Sequence, residues 1–210
     1  MSKRGISKNY FHWEPDDGKI YDQRIINELQ NPSNEAQTTG LNLDDINTKI
    51  LIYEDRVKEW FLEIGKRLKL DNEADFVILQ IALSYIEGNQ QYREGESSDR
   101  RSKEFFKKGL KRIFSEIQNI YMIENVLDNF YKQVRCGLFH IGITGHGVTI
   151  SGEFSDALKI LFPEFPEIRI NSHKFMDAMV NDLENYIKEL NDQNNTELRE
   201  DFERFYDLTG

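Results

Sequence analysis

The stretch at residues 74–87 constrains the fold of this chain more than any other. Phe76, Val77, Ile78, Leu79, Ile81, Ala82, Leu83, Tyr85 and Ile86 leave almost no polar stripe if the segment is helical. A helix that is apolar nearly all round must be buried on most sides, so it is expected at the centre of a bundle, entered through a cap at Asp71. The apolar block at 76–83 is broken by Gln80. It is also far shorter than the ~20 residues a membrane span needs. The segment reads as a core helix of a protein with no membrane partner.

The neighbours supply the walls. Residues 44–69 place Ile50, Tyr53, Val57, Trp60 or Phe61, Ile64 and Leu68 at three- and four-residue intervals, behind a cap at Asp44 or Asp45. Ser102 is expected to cap a helix carrying Phe105, Phe106, Leu110, Ile113, Phe114 and Ile117. A further helix uses Ile123, Val126 or Leu127, Phe130, Val134 and Leu138. The last long one follows Asn171 or Ser172 and aligns Phe175, Met179, Leu183, Tyr186 or Ile187, and Leu190. A second, short helix is expected at 196–208.

Between these, residues 88–98 are polar and read as a loop. Residues 142–152 are Gly-rich and β-branched, which predicts turns and a short strand. Ile168-Arg169-Ile170 is its expected partner, with a short helix at 155–161 between them.

The organisation that follows is an N-terminal arm at 1–43, mostly irregular, a helical bundle at 44–192, and an acidic C-terminal helix at 193–210. The arm holds a turn at 15–18, a polar loop at 31–40, and a short helix using Ile20, Ile25, Ile26 and Leu29. Its aromatic cluster, Tyr10, Phe11 and Trp13, is expected to dock on its own domain, with a partner contact as the alternative. The fold class is all-α with a small β-hairpin insertion.

Charge and cysteine content narrow the function classes. A formal net charge of −10 over 210 residues argues against a surface coated for nucleic acid, since phosphate contacts come from Lys and Arg. A local exception stands out. Arg100, Arg101, Lys103, Lys107, Lys108, Lys111 and Arg112 form a basic island against Asp99 and Glu104. It reads either as a solvated helix face or as a surface that tracks RNA phosphates. From Asp182 onward the chain is acidic. Cys136 is the only cysteine, so no internal disulfide forms and a reducing, cytoplasmic setting is expected. No apolar core follows Lys3-Arg4, which argues against a secretory leader.

Few residues offer chemistry. The glycines do not form a nucleotide-binding loop of Gly, four residues, Gly, Lys and Ser or Thr. Gly145-His146-Gly147 is a short turn with no helix following it. His12, His140, His146 and His173 are scattered, with no pair at helical spacing and no thiol set, so neither a metal nor another cofactor is expected. Cys136, in an apolar helix, reads as a small core residue.

Arg135 and His140 remain. Five residues of regular helix turn through ~500°, which leaves the two side chains ~140° apart. They converge only if the helix loosens near Gly137, ends by His140, or meets a second copy. Gly137 itself costs a helix about 1 kcal/mol and calls for a packing or functional reason. An imidazole can move a proton on or off a ribose hydroxyl, and a guanidinium can hold a phosphate. The plainer alternative is that both cations complement the exposed carbonyls of a helix end.

The segment Arg135-Cys136-Gly137-Leu138-Phe139-His140, at the end of a helix in a helical chain and followed by Gly142, resembles the Arg-x4-6-His motif of the HEPN superfamily. The helical pattern over 44–190 resembles that family's four- to five-helix bundle. The position after the motif Arg, often polar in catalytic members, is Cys136. The resemblance implies a metal-independent endoribonuclease that acts on RNA as a homodimer, in a defence, toxin–antitoxin or stress setting, with an antitoxin or defence-system partner protein. It gives His140 the proton transfer at the ribose 2′-hydroxyl and Arg135 the phosphate. It equally allows a non-catalytic module that binds a partner protein or nucleotide.

Overall fold

A computed structural model describes residues 2–14, 19–24, 39–71, 73–162 and 167–209, with backbone only at 2–4 and 13–14. It is mostly helical, with two small sheets. Helix α1 (Ile46–Val57) passes through a π-helical turn at Lys58–Leu62 into α2 (Glu63–Leu68). The Asp45 carboxylate accepts the Thr48 backbone N–H at 3.2 Å, so Asp45 is the cap. Helix α3 (Asp75–Glu94) follows, then α4 (Ser102–Ile113) and α5 (Ile123–Phe130). A second π-helical turn at Tyr131–Cys136 leads into the short α6 (Gly137–Ile141). The chain closes with α7 (Ser172–Asn191) and α8 (Thr196–Thr209). Asn171 caps α7, its side chain accepting the Lys174 N–H at 3.0 Å.

Helix α3 is the central element, packed against α4, α7 and α8. Ile78, Leu79, Ala82 and Ile86 are fully buried, but Phe76 and Val77 in its first turns stay 42% and 50% exposed. Asp71 is not its cap; that carboxylate accepts the Glu73 N–H in the turn before, and Ala74 precedes the helix.

The helix also runs through the polar residues expected to form a loop and stops only at Gly95, which takes a left-handed φ of 62°. The reason is tertiary. Asn89 and Gln90 are buried, and both accept hydrogen bonds from the Arg112 guanidinium of α4, at 2.9 and 3.2 Å. Arg112 also pairs with Asp182 of α7, and Asn89 donates to the Tyr53 hydroxyl of α1. Buried polar groups satisfied this fully favour the helix over a loop. Beyond Gln90, Arg93 lies 4.2 Å from the Tyr186 ring centroid and pairs with Glu189.

The C-terminal helix belongs to the same core. Phe202 and Tyr206 of α8 are buried in it, and Lys49 of α1 pairs with both Glu203 and Asp207 at 2.7 Å.

The all-α expectation is corrected at both ends. The arm is not irregular where it is described: β1 (Ser2–Gly5), β2 (Tyr10–Glu14) and β3 (Tyr21–Asp22) form an antiparallel sheet in that order. Phe11 pairs with Tyr21 in register, their rings stacked at 5.6 Å. Ile6, Tyr10 and Ile20 pack on Ile52 of α1 as a separate small cluster. The buried Asp55 of α1 fastens the arm, accepting from Ser7 Oγ at 2.5 Å and the Asn9 N–H at 2.9 Å. Ile20 precedes a strand; Ile25, Ile26 and Leu29 of the short helix expected there, like Trp13's side chain, lie outside the described residues.

After α6, the hairpin insertion is a three-stranded mixed sheet. β4 (Val148–Ile150) runs parallel to β6 (Glu167–Ile170), and β5 (Leu158–Leu161) runs antiparallel on its other side. The helix expected at 155–161 is therefore a strand. Leu158 and Ile160 turn one face to the core, and a short apolar run of this length fits either form until a neighbour provides a ladder. Ile168 and Ile170 of the central strand are fully buried.

Candidate active site

The motif segment lies on the π-helical turn and α6, so the helix loosens one turn before Gly137. A π turn inside an α-helix is rare and frequently marks a functional site. Gly137 has a different reason to be glycine. A Cβ there would stand 2.7 Å from the carbonyl oxygen of Ile143, on the loop that follows α6. The helix closes on Gly142, at φ 80°, whose N–H donates to the Gly137 carbonyl at 3.1 Å. The chain then doubles back, and the Gly145 N–H donates to the Gln133 carbonyl at 2.8 Å.

This fold-back encloses an open groove of about 490 Å³ between the helix and its own following loop. Lys132, Gln133, Cys136 and His140 line it from the helix, and Ile143, Thr144 and His146 from the loop. His140 and His146 are exposed and Cys136 is half-buried. Among the described residues, neither imidazole has a hydrogen-bond or ion-pair partner, and no carboxylate pairs with Lys132. No group of three His, Cys, Asp or Glu among the described residues converges as a metal site.

Arg135 is not among the groove's lining residues. Its Nη2 donates to Glu87 Oε2 of α3 at 3.2 Å, with only 20% and 15% of the two side chains exposed. The guanidinium lies 4.6 Å from the Phe139 ring centroid and 5.5 Å from that of Tyr131. Glu87 is itself held, accepting from Ser98 Oγ and Ser102 Oγ, each at 2.8 Å. Ser102, whose one proton is given to Glu87, stands 3.1 Å from the Tyr131 hydroxyl and accepts from it. Ser102 is thus a link between α3, α4 and the π turn, and Arg101 precedes α4. A guanidinium held by a carboxylate and two aromatic faces is well oriented and strongly engaged.

The basic island occupies the surface between α4 and α5. Arg101 pairs with Glu96, Lys103 with Asp128, and Lys108 with Glu94 and Glu104. Lys111 pairs with Glu124, and Lys107 with both Glu124 and Asp128. Hydrogen bonds from Lys107, then from Lys111 or Lys103, hold the Glu124 and Asp128 carboxyls below their ordinary range. Burial pulls the Lys107 ammonium down, but the hydrogen bonds to Asp128 and Glu124 outweigh it and raise its pKa. Arg112 points elsewhere, into the α3–α7 network. Arg100, at φ 60°, is the one cation of the seven with no carboxylate partner among the described residues.

Two participants escape sequence reasoning. Glu87 lies 48 residues from Arg135 and carries no local signal of the pairing. His146 had one: a histidine between two glycines, six residues after His140, in a segment predicted to turn. Compared with family models, curated proteins and solved structures, the chain matches none.

Proposed function

We propose that this protein is a metal-independent endoribonuclease of HEPN-like type, with His140 transferring the proton of the ribose 2′-hydroxyl. The observation that carries this reading is the uncommitted His140 imidazole, presented by a π-distorted helix into an open groove beside Lys132. Intramolecular attack by the 2′-oxygen needs a base for its proton and a cation for the phosphate, roles that an imidazole and an ammonium can fill. Arg135, engaged by Glu87 within its own chain, serves the phosphate of a second copy in a homodimer.

The test is cleavage of RNA in EDTA. The expected products end in a 2′,3′-cyclic phosphate, and 2′-deoxy substitution at the cleaved position stops the reaction. His140→Ala removes activity with the fold intact; activity equal to wild type in that variant would sink the reading. Mixing His140→Ala with Arg135→Ala protein restores cleavage if Arg and His come from different copies, and leaves it absent if they act within one chain.

One observation favours a second reading. Arg135 is already satisfied by Glu87, Phe139 and Tyr131, as a purely structural arginine would be. A non-catalytic HEPN-like module that binds a partner protein or nucleotide would show a stable complex and no cleavage of any RNA.

A further inference from the structure

We infer that His146 is a second catalytic histidine, the general acid that complements His140 as base, and that Lys132 holds the phosphate between them; this rests on the ribonuclease reading. The inference starts from the loop. Residues 142–147 are anchored at both sides of His146: the Gly145 N–H donates to Gln133 of the π turn at 2.8 Å, and the Gly147 carbonyl accepts from Ile168 of the buried strand β6 at 2.7 Å. Gly142 and Gly147 take φ values of 80° and 75° that other residues rarely adopt. Gly137 admits the loop at Ile143, where a Cβ would meet backbone rather than a movable side chain. Four glycines thus press this loop onto the helix, and the result is that His146 faces the same groove as His140.

A loop held only to close the chain would have no need of a titratable side chain at that point. This one presents an imidazole with no partner among the described residues, across from another in the same condition. The rest of the lining is Gln133, Thr144, Cys136, glycines and the apolar Ile141 and Ile143, which leaves the histidines and Lys132 as the groove's imidazole and cationic groups.

The chemistry balances with these groups alone. As the 2′-oxygen bonds to phosphorus, its proton passes to neutral His140. The bond from phosphorus to the 5′-oxygen breaks, and protonated His146 gives its proton to that oxygen. The products are a 2′,3′-cyclic phosphate and a 5′-hydroxyl; exchange with water returns both histidines to their starting states. The Lys132 ammonium offsets charge on the phosphate oxygens throughout.

The experiment compares two substrates with the full chain. RNA has an alkoxide leaving group that needs a proton, and a nucleoside 3′-(4-nitrophenyl phosphate) has one that does not. His146→Ala and His146→Gln should lower kcat on RNA by about 10²–10³-fold while changing the nitrophenyl ester by less than about 3-fold. Their pH profile on RNA should lose its alkaline limb. His140→Ala should lower both substrates.

Wild-type rates on RNA in both His146 variants overturn the inference and leave the ribonuclease reading standing. Equal losses on both substrates also overturn it, since they show a structural role. If the wild-type protein cleaves neither substrate, the ribonuclease reading fails and the inference fails with it.

Discussion

The basic island and the motif groove hold basic side chains in opposite conditions. Of the island's cations, Arg100 alone has no carboxylate within reach among the described residues, and Arg112 is used inside the core. In the groove, Lys132, His140 and His146 have no such partners. The difference separates charge density from electrostatic potential. The lysines that fasten α4 to α5 through Glu124 and Asp128 project less field than their number suggests, because each has a carboxylate within one hydrogen bond. A few uncommitted groups against an apolar wall keep their full capacity for a ligand.

The sharpest way to break this contrast is to remove one group from each region. His140→Ala should lower RNA cleavage by about 10³-fold or more, within the range of general acid–base catalysis. The double variant Lys103→Ala/Lys108→Ala should change cleavage at moderate salt by less than about 3-fold, because the phosphate-binding share of a neutralised face is small. A large loss from the island variant, read by gel-based cleavage across a salt series, would show that RNA displaces the carboxylates and that the contrast is wrong.

Gly137→Ala probes how the groove is made. Alanine normally stabilises a helix interior relative to glycine by about 1 kcal/mol. Here its Cβ meets the Ile143 carbonyl, so a net loss of about 1–3 kcal/mol is expected in urea denaturation. Cleavage should fall with it, since the loop carrying His146 is displaced.

Glu87→Gln tests the other side of the motif. It keeps the hydrogen bonds with Ser98 and Ser102 in reach but weakens the hold on Arg135, at a cost of about 1 kcal/mol after allowing for partial solvent screening. A structural Arg135 predicts lower stability and unchanged cleavage; an Arg135 that serves phosphate predicts a changed KM for RNA as well.

The smallest effect lies in the island. Lys107→Ala should cost about 1 kcal/mol or less, because its carboxylate partners are exposed and the pairs are screened by solvent. Its sign with pH follows from the lowered Glu124 and Asp128 carboxyls. Their stabilisation is fully present above ordinary carboxylate pKa values and is lost as pH falls through the lowered ones. Wild type and Lys107→Ala should therefore converge in stability on acidification from pH 7 to pH 3, measured by chemical denaturation.

Legibility in the sequence followed how local each cause was. Asp45 and Asn171 are caps because their side chains reach N–H groups three residues on, and the sequence narrows each cap to two adjacent residues, Asp44 or Asp45 and Asn171 or Ser172. The periodic faces of α1, α4 and α7 were readable for the same reason. Ser102 was misread because its hydroxyl turns to Glu87, on another helix. The full length of helix α3 is not legible in the sequence, because Asn89 and Gln90 look like loop residues until Arg112 satisfies them. Strand β5 looked helical because four residues hold too little period to choose, and β6 made the choice.

For the candidate site, Arg135 and His140 were nameable, but their environments were not. Local spacing allowed them to converge only if the helix loosened. It does loosen, at Tyr131–Cys136, yet Arg135 goes to Glu87 and His140 to the groove with His146.

By itself the sequence determined the helical periodicity, the central place of the segment at 74–87, and the short list of residues able to move a proton or hold a phosphate. These depend on which side chains recur along one chain and on hydrogen bonds that span three or four residues. Only the tertiary structure decided which cations are neutralised, where the polar end of α3 is buried, and which histidine shares a groove with His140. Those outcomes depend on groups tens of residues apart meeting in one place, where burial and partner geometry, not sequence spacing, set the energy.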